Sequence, residues 1–405
     1  MGTDKKILVV TPHFYPEDFK VNDIAFELYG NGFDVTVVTC IPNYPQGRFF
    51  KGYSYIKKRK EIVKGVKVYR VFVIPRGNGS GIMLGLNYLS YLISASFVCF
   101  FLALRYKFTH VFVHETSPVT VGLPAIIVKK IQKIPLCFWV LDLWPESILA
   151  ASNFKNKIVL DILERLVTFI YKNCDNILIS SNGFRKSIEA KGDFSKKISY
   201  FPNWAEDLFV KESLDHNLPQ FPDGFKVLFA GNIGEAQNFE TIMSAALHLA
   251  SNSNIHFCIV GDGRKKIWVE EFIKKNNLNQ TVHLYGRYPL ETMPSFFKKA
   301  DVMLLSLKDE PIFSLTVPAK LQAYMASGKP VVGAIDGEGA LVIDKARCGF
   351  SVKPFDSKGL ADIILRSSSI DRAELSKLGQ NGKGYYHSNF QRDDRIQELI
   401  NIMST

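Results

Sequence analysis

A threonine and a lysine in the second half of the chain have types and spacing suited to binding phosphate. Thr316 and Lys320 are four residues apart, after a predicted buried strand and around the first turn of a predicted helix that ends at Ser327-Gly328. A hydroxyl, free backbone N–H groups and a cation at a helix start suit a diphosphate. An ordinary strand–helix–strand crossover with a solvated lysine would have the same pattern. This segment alone therefore leaves both interpretations open.

Glycine-containing turns precede this segment, each at the predicted carboxyl end of a strand. They are Gly231-Asn232-Ile233-Gly234, Gly261-Asp262-Gly263 and Gly286-Arg287. Glycine allows backbone N–H groups to approach an anion closely, and the carboxyl ends of parallel strands share one edge of a sheet. A single turn of this kind is common for local reasons. Their succession, followed by the lysine helix, predicts where a nucleotide diphosphate would lie.

Candidates for proton transfer lie in the first half of the chain. Asp142 and Glu146 follow a predicted strand over 136–141 with Trp144 between them, and His114 stands near the end of the preceding strand. If a hydroxyl must lose a proton, Asp142 is our first candidate, Glu146 the second and His114 the third. Each position also has a structural explanation. Asp142 could cap a helix, Trp144 could pack in the core, and His114 could be a hydrogen-bonded strand-end residue.

Two successive strand–helix alternations would position these groups. The first extends to about residue 205, and a polar stretch rich in Pro and Asp separates it from the second. The loop after the first strand lacks the glycine fingerprint of a dinucleotide site, which argues against NAD. We predict an α/β protein with two Rossmann-like domains facing across a cleft.

Composition restricts the class of partner. The 405 residues carry a formal net charge of +11, which favours anionic ligands or an acidic membrane surface. The six cysteines are scattered, no zinc-ligand spacing occurs, and no Asp-x-Asp pair suggests a Mg²⁺ site, so we predict no metal. Aromatic residues alternate with cations over 41–73, but no nucleic-acid-binding motif accompanies them, and we predict no nucleic acid partner.

Residues 82–104 form an apolar segment of 23 residues without a charge. Its length would allow it to cross a bilayer. It lies, however, between two predicted strands of one sheet, which a membrane-spanning helix would place on opposite sides of the membrane. We therefore predict a membrane-facing or partly buried helix, with tyrosines and flanking cations at the interface.

Over nearly its whole length the chain resembles retaining glycosyltransferases of the GT-B fold, family 4. The nearest branch makes bacterial surface polysaccharides and includes N-acetyl-L-fucosaminyl-type transferases. The resemblance is carried by TPHFYPE, CIPNYPQG, LDLWPES, FPNWAEDLF, FAGNIGEAQN, VGDG, YGR and TVPAKLQAYMASGKPVV. DLWPES and the PAK–YMASGKPV pair are the most specific of these motifs.

The resemblance implies an acceptor-binding domain over 1–205 and a nucleotide-sugar-binding domain over 206–384. It also implies a C-terminal helix over 385–405 that can cross back to the first domain. The donor-binding residues that we expect are Gly231, Asn232, Gly234, Arg264, Gly286, Arg287, Thr316, Lys320, Glu310 and Glu338. Lys320 would also stabilise the leaving diphosphate without a metal ion. On the acceptor side we expect Phe19, Lys20, Trp144 and Asn203.

The chain departs from the family pattern at three places. Leu315 and Ala323 stand where family 4 often has two glutamates, and Glu310 or Glu338 could replace them. Gln237 and Asn238 stand where an Arg/Lys pair usually binds the diphosphate, so Lys320 with Arg264 or Lys265 would supply the charge. Phe19-Lys20 replace the usual Gly-Gly of the first loop.

The resemblance predicts an enzyme that transfers a hexosyl or acetamido sugar, such as N-acetyl-L-fucosamine, in O-antigen or capsule biosynthesis. The donor would be a UDP-sugar and the acceptor a polyprenyl-diphosphate-linked saccharide, with no metal or other cofactor. The protein would lie at the cytoplasmic face of the bacterial inner membrane, peripheral or monotopic. Two alternatives stay open: a GT-B nucleotide-sugar 2-epimerase, and a non-catalytic membrane-bound partner subunit.

Overall fold

The computed structural model describes residues 5–151, 156–210 and 218–403. The chain divides into two compact units. Unit 1 comprises Met1–Phe201 with Asp393–Thr405, and unit 2 comprises Pro202–Arg392. The boundaries predicted from the sequence, after residues 205 and 384, stay predictions.

Unit 1 is built on an eight-stranded sheet. Its strands are β1 (Lys6–Val10), β2 (Asp34–Cys40), β3 (Lys60–Val63), β4 (Val66–Val71), β5 (His110–Glu115), β6 (Leu136–Val140), β7 (Asn176–Ile179) and β8 (Ile198–Tyr200). The spatial order is β3-β4-β2-β1-β5-β6-β7-β8, and every pair is parallel except β3 with β4. The interior strands consist largely of buried apolar residues, as expected for a parallel sheet covered on both faces.

The helices of unit 1 lie mostly in the crossovers between parallel strands. They are α1 (Lys20–Gly30), α2 (Gly81–Arg105), α3 (Gly122–Gln132), α4 (Glu146–Ala151), α5 (Lys157–Asn173), α6 (Phe184–Ala190) and, near the C-terminus, α16 (Arg392–Ile402). Short 3₁₀ helices cover Val119–Val121 and Ser195–Lys197. Residues 60–63, part of the aromatic and cationic stretch 41–73, form the edge strand β3, antiparallel to β4.

The long apolar helix α2 packs one face on the sheet and on α3. Its polar residues are used in that packing: Asn87 Nδ2 donates to the carbonyl of Ile74 at 2.6 Å, and the backbone N–H of Ile74 donates to Ser90 Oγ at 2.9 Å. The opposite face exposes large apolar side chains, namely Ile82, Leu86, Leu89, Ile93, Phe97, Phe100, Phe101 and Leu104. We call these eight residues the α2 stripe. By length and composition alone α2 could cross a membrane, and a third of its most apolar window is buried.

Unit 2 is built on a six-stranded, fully parallel sheet. Its strands are β9 (Phe225–Ala230), β10 (Ile255–Val260), β11 (Val282–Gly286), β12 (Val302–Ser306), β13 (Val331–Ala334) and β14 (Gly349–Val352). The order β11-β10-β9-β12-β13-β14 corresponds to 3-2-1-4-5-6, the Rossmann arrangement. Ligands of such sheets bind where the order reverses, between β9 and β12.

The helices of unit 2 cover this sheet. They are α7 (Asp207–Val210), α8 (Phe239–His248), α9 (Lys266–Lys275), α10 (Met293–Lys299), α11 (Pro311–Ser314), α12 (Ala319–Ala326), α13 (Gly337–Ala346), α14 (Ser357–Ser369) and α15 (Arg372–Phe390). Short 3₁₀ helices cover Glu235–Gln237 and Leu290–Thr292. Apolar side chains of α8, α9 and α14 pack with the strands into one core cluster.

Candidate functional site

The Lys320 side chain lies at the carboxyl end of β9, where its amine is buried. It projects from the first turn of α12, and Nζ lies 3.9 Å from the centre of the Phe229 ring. Within residues 5–151, 156–210 and 218–403, Nζ has no hydrogen-bond partner. Burial lowers the pKa of Lys320 to about 7. Burying an amine without a hydrogen-bond acceptor costs free energy, and a bound anion would supply the missing acceptor. Lys320 therefore has the properties of a ligand-binding residue.

The glycine turns pack closely against one another at this edge, and the first of them contacts the amine. A Cβ on Gly231 would lie 2.7 Å from Lys320 Nζ, and a Cβ on Gly261 would lie 1.8 Å from the carbonyl oxygen of Gly231. The backbone N–H of Gly231 donates to Val260 at 2.9 Å, and that of Gly261 donates to Gly286 at 2.8 Å. The three turns therefore form one hydrogen-bonded edge, and a side chain would clash at positions 231 and 261.

Asn232 occupies the space between two of these glycines. Its amide nitrogen would be 2.4 Å from a Cβ on Gly234, and its amide oxygen 2.6 Å from a Cβ on Gly263.

The cations predicted to assist Lys320 are either exposed or already paired with carboxylates. Arg264 and Arg287 are exposed, whereas Lys265 forms ion pairs with Glu240 and Glu235. Lys265 is therefore already neutralised in unit 2.

Thr316 does not lie in the first turn of the lysine helix, which corrects the sequence interpretation. α12 begins at Ala319, and Thr316 Oγ1 donates to the carbonyl of Ile312 at 2.8 Å, closing the end of α11. The sequence missed α11 because this helix has only four residues and is too short to show a period. The hydroxyl of Thr316 thus satisfies a helix carbonyl.

The two glutamates proposed as replacements lie on neighbouring elements. Glu310 is the residue before α11, and Glu338 is in the first turn of α13. A Cβ on Gly337 would lie 1.9 Å from the carbonyl oxygen of Ser314, so the start of α13 is pressed against α11. Burial raises the pKa of Glu338, and Lys345 opposes this shift. The structure thus brings together the elements that carry these two carboxylates.

Asn203, predicted for the acceptor side, belongs to unit 2. Its carbonyl accepts a hydrogen bond of 2.7 Å from Gln322 Nε2, and Gln322 is fully buried on α12. This contact fixes the segment after β8 against the lysine helix. Ala323, which occupies a family glutamate position, is buried on the same helix.

In unit 1, Asp142 accepts two hydroxyl hydrogen bonds at the carboxyl end of β6. Ser117 Oγ donates to Oδ2 and Ser147 Oγ donates to Oδ1. The indole N–H of Trp144 donates to Ser117 Oγ at 2.9 Å, and its ring is buried. Trp144 is therefore both packed and part of the chain of hydrogen bonds that orients Asp142.

Glu146 forms an ion pair that the sequence did not indicate. Its Oε1 accepts from Ser187 Oγ and, at 2.9 Å, from Lys191 Nζ, both on or next to α6. Burial would raise the pKa of Glu146, but the hydrogen bonds from Ser187 and Lys191 lower it below its usual value. Its predicted part in proton transfer stays a prediction, and the geometry gives it a structural task.

His114 is buried at the end of β5. Its Nδ1 lies 3.2 Å from Thr11 Oγ1, and its ring packs against Trp139 with 5.4 Å between ring centres. Burial, with a smaller effect of His13, lowers the pKa of His114 to about 3. The imidazole is therefore neutral near pH 7. The ring of Phe19, the residue before α1 and its first residue Lys20, packs edge-on against the His114 ring with 6.4 Å between ring centres.

Two buried carboxylates were missed by sequence reasoning. Glu115 Oε2 accepts from the backbone N–H of Asp142 at 3.1 Å, while Oε1 has no hydrogen-bond partner in the described part of the chain. Burial and the Asp142 charge raise the pKa of Glu115. Glu17 pairs with His13 Nδ1 at 2.7 Å and accepts from the backbone N–H groups of Asn43 and Tyr44. The available signal was the placement of Glu115 at the end of β5 in THVFVHE and of Glu17 in the loop after β1 in TPHFYPE.

No group of three or more His, Cys, Asp or Glu side chains, among the residues that the structure describes, is arranged to hold a metal ion.

Known proteins share both sequence and fold with this chain. Residues 224–369 match the family described as Glycosyl transferases group 1. WbjE of Pseudomonas aeruginosa, described as a probable glycosyltransferase, is 29% identical over 255 residues, which are 60% of this chain and 62% of WbjE. WcaI of Escherichia coli, assigned provisionally as a colanic acid biosynthesis glycosyl transferase, is 26% identical over 339 residues, 80% of this chain and 81% of WcaI. The chain therefore matches less than two thirds of the length of WbjE.

Solved structures extend the likeness to the whole chain. Sucrose-phosphate synthase from Thermosynechococcus elongatus has a TM-score of 0.73 at 16% identity, covering 98% of both chains. Anabaena HepE, solved in complex with UDP and glucose, has a TM-score of 0.67 at 15% identity, covering 99% of both chains. Identities this low show the fold alone, and the predicted α/β GT-B fold is confirmed. The chain thus has the GT-B fold, and its residues 224–369 match the glycosyl transferases group 1 family.

Proposed function

We propose that this protein is a glycosyltransferase that moves a sugar from a nucleotide diphosphate donor to a lipid-linked saccharide at a membrane surface. The observation that carries the proposal is the buried Lys320 amine, which lacks a partner among the described residues and lies against Gly231. An anionic diphosphate at the β9 edge would supply its counter-charge. The match of residues 224–369 to group 1 glycosyl transferases and the UDP bound by HepE support this assignment.

In the proposed reaction the bond between the sugar and the terminal phosphate breaks, and the acceptor oxygen forms the new bond. Lys320 stabilises the negative charge that develops on the leaving diphosphate. Asp142 accepts the proton of the acceptor hydroxyl, and the hydroxyls of Ser117 and Ser147 hold its carboxylate in place. We propose substitution with retention, without a metal ion, as the resemblance to family 4 implies.

A UDP-linked acetamido sugar as donor, and a polyprenyl diphosphate saccharide of O-antigen or capsule synthesis as acceptor, complete the proposal. The provisional assignment of WcaI to colanic acid biosynthesis supports a polysaccharide product. The α2 stripe supports association with a membrane surface, because eight large apolar side chains lie exposed along one helix. We propose that this surface is the cytoplasmic face of the inner membrane.

A non-catalytic partner subunit is the second candidate, and one observation favours it. Leu315 and Ala323 occupy the positions of the family's glutamate pair, and Ala323 is buried. Such a protein would bind a nucleotide without turnover. The predicted alternative of a 2-epimerase has no observation that favours it, and would need neither a lipid acceptor nor a membrane helix.

The experiment is thermal unfolding of the full chain with UDP, GDP, dTDP and ADP, first with EDTA and then with Mg²⁺. A ligand that binds only the native state raises the unfolding midpoint. We expect one diphosphate, UDP, to protect without metal, and Lys320→Met to remove that protection. Lys266→Met, at the start of α9, is the control and should retain it. Protection by none of the four nucleotides would overturn the donor assignment, and protection by UDP without any transfer to membrane lipid extracts would favour the partner subunit.

A further inference from the structure

Arg76 is a cation in unit 1 that the proposed reaction has not yet used. Its guanidinium lies 5.2 Å from the ring centre of Tyr44 and 5.7 Å from that of Tyr88. Its Nε is buried, and across residues 5–151, 156–210 and 218–403 it has no hydrogen-bond partner. A cation held between two rings, with an unsatisfied buried donor, is positioned to receive an anion.

The loops that hold Arg76 are fixed by buried contacts. Its backbone N–H lies 3.4 Å from Asn43 Oδ1, and Glu17 accepts from the backbone N–H groups of Asn43 and Tyr44 at 2.7 and 2.6 Å. The backbone N–H of Gly77, the next residue, donates to the carbonyl of Gly47 at 2.9 Å. The loops after β2 and β4 are therefore joined around this arginine, so little ordering is needed when a ligand binds.

The position of Arg76 connects two features of unit 1. It stands five residues before α2, at the end of the helix where the α2 stripe begins with Ile82. Tyr88 also links it to Asp142: burial raises the pKa of the Tyr88 phenol, Arg76 lowers it and Asp142 raises it. Arg76 therefore lies next to the start of the helix that carries the α2 stripe, beside Tyr88 of that helix.

We propose that Arg76, between Tyr44 and Tyr88, binds the diphosphate that joins the acceptor saccharide to its lipid, with the lipid chain along the α2 stripe. This inference rests on the proposed function and names the acceptor subsite within it. The planar fork of arginine matches phosphate oxygens bidentately, and an isoprenoid chain is the apolar group that continues from such a diphosphate. The occupant is thus amphipathic in the same way as this surface, with a charged diphosphate at Arg76 and an apolar lipid along α2.

The diphosphate of a nucleotide donor has the same chemistry, so the test must separate the two sources. We would titrate the full chain in detergent with farnesyl diphosphate, farnesol and UDP, by calorimetry. For Arg76→Gln we expect farnesyl diphosphate to bind about 10- to 100-fold more weakly, with farnesol and UDP unchanged. Arg76→Lys should lie between wild type and Arg76→Gln, and it keeps the test valid should the glutamine variant not fold. Arg48→Gln, an exposed arginine of the loop after β2, is the matched control and should bind as wild type does.

Equal affinity of wild type and Arg76→Gln for farnesyl diphosphate would overturn the inference. So would equal affinity of the wild type for farnesyl diphosphate and farnesol, or a loss of UDP binding in the Arg76 variants that matches the loss of farnesyl diphosphate. The two proposals fail separately. Arg76-dependent binding of farnesyl diphosphate without any nucleotide binding removes the donor assignment and leaves this subsite standing. Nucleotide binding with an Arg76-independent lipid removes only the subsite.

Discussion

The amine of Lys320 lies so close to Gly231 that a methyl group on this glycine would be 2.7 Å from Nζ. The lysine thus occupies space that exists because residue 231 has no side chain. Gly231 also has a φ of +138°, which side-chain-bearing residues rarely adopt. The glycine and the lysine are therefore coupled, although they are 89 positions apart (320 − 231) in the sequence.

Gly231→Ala should displace the Lys320 side chain and abolish UDP binding. The strained backbone should also reduce the free energy of unfolding by about 1–3 kcal/mol. Urea unfolding and UDP titration measure the two effects. Gly384→Ala, in α15 with open space around an added Cβ, is the control and should be neutral or slightly stabilising. Normal UDP affinity in Gly231→Ala would contradict the coupling.

UDP binding at pH 8 should be accompanied by the uptake of nearly one proton. Free Lys320 has a pKa of about 7 because it is buried, so its amine is mostly neutral at pH 8. The diphosphate would raise that pKa and the amine would take up a proton. Calorimetry in HEPES and in Tris, whose ionisation enthalpies differ, measures the uptake. No uptake in the wild type, or the same uptake in Lys320→Met, would contradict the phosphate role.

The same pKa predicts how stability depends on pH without ligand. Between about pH 7 and 10, lysine in the unfolded chain is protonated and buried Lys320 is not, so the unfolded state binds more protons. The free energy of unfolding should therefore rise with pH across this window. Lys320→Met should have a smaller slope there, measured by urea unfolding at pH 7, 8 and 9. An unchanged slope would mean that the amine is not buried in solution.

Asp142→Asn should reduce the transfer rate by about 10²- to 10⁴-fold without changing UDP affinity. The asparagine keeps an oxygen that can accept a hydroxyl hydrogen bond but cannot accept the proton. Ser147→Ala removes one of the two donors and leaves the carboxylate, so it should retain most activity. Equal losses in the two variants would show that Asp142 acts only through structure. Transfer of radiolabelled sugar into membrane lipid measures the rates.

Glu146→Gln should destabilise unit 1 rather than stop the chemistry. The Lys191 side chain is 4% exposed and would lose its 2.9 Å carboxylate partner, with Glu164 still 3.8 Å away. We expect a loss of about 1–3 kcal/mol at pH 7. Because the folded pKa of Glu146 lies below its usual value, this contribution is present above about pH 4.3 and lost as pH falls through the folded pKa.

Urea unfolding at pH 7 and pH 3.5 tests this assignment. The difference between wild type and Glu146→Gln should be smaller at the lower pH. Glu189→Gln breaks an exposed pair with Arg185 and should cost under about 0.5 kcal/mol. A stable Glu146→Gln variant that has lost transfer activity would instead support proton transfer by this glutamate.

Polar substitution of the α2 stripe should release the protein from membranes. Ile93→Gln, Phe97→Gln and Phe101→Gln together would replace three side chains that are 50%, 63% and 63% exposed. These side chains support no core, so folding should be retained while vesicle flotation falls. The matched triple Leu247→Gln, Ile267→Gln and Leu365→Gln changes exposed residues of unit 2 and should still float. A wild-type protein that remains in the soluble fraction without detergent would contradict the membrane proposal.

Local pattern was sufficient to predict much of this architecture from the sequence. Continuous apolar runs such as Leu136–Val140 predict buried parallel strands, and glycine turns after them predict the ligand edge, because both depend on neighbours along the chain. The position of Lys320 near the start of a helix followed from the same local signals. The short edge strand β3 and the single-turn helix α11 were missed, since neither is long enough to show a period.

What each polar side chain does was decided by tertiary structure. The sequence predicted that Thr316 and Lys320 would both bind phosphate, yet the hydroxyl satisfies a carbonyl of α11 while the amine is left without a partner in the described residues. Glu146 meets Lys191, which is 45 positions away, and Glu115 binds the backbone of Asp142. Such pairings depend on which strand ends the sheet order brings together. Sequence alone therefore determined the fold and the sheet edge at which we propose ligand binding, whereas long-range packing determined which charges there remain available.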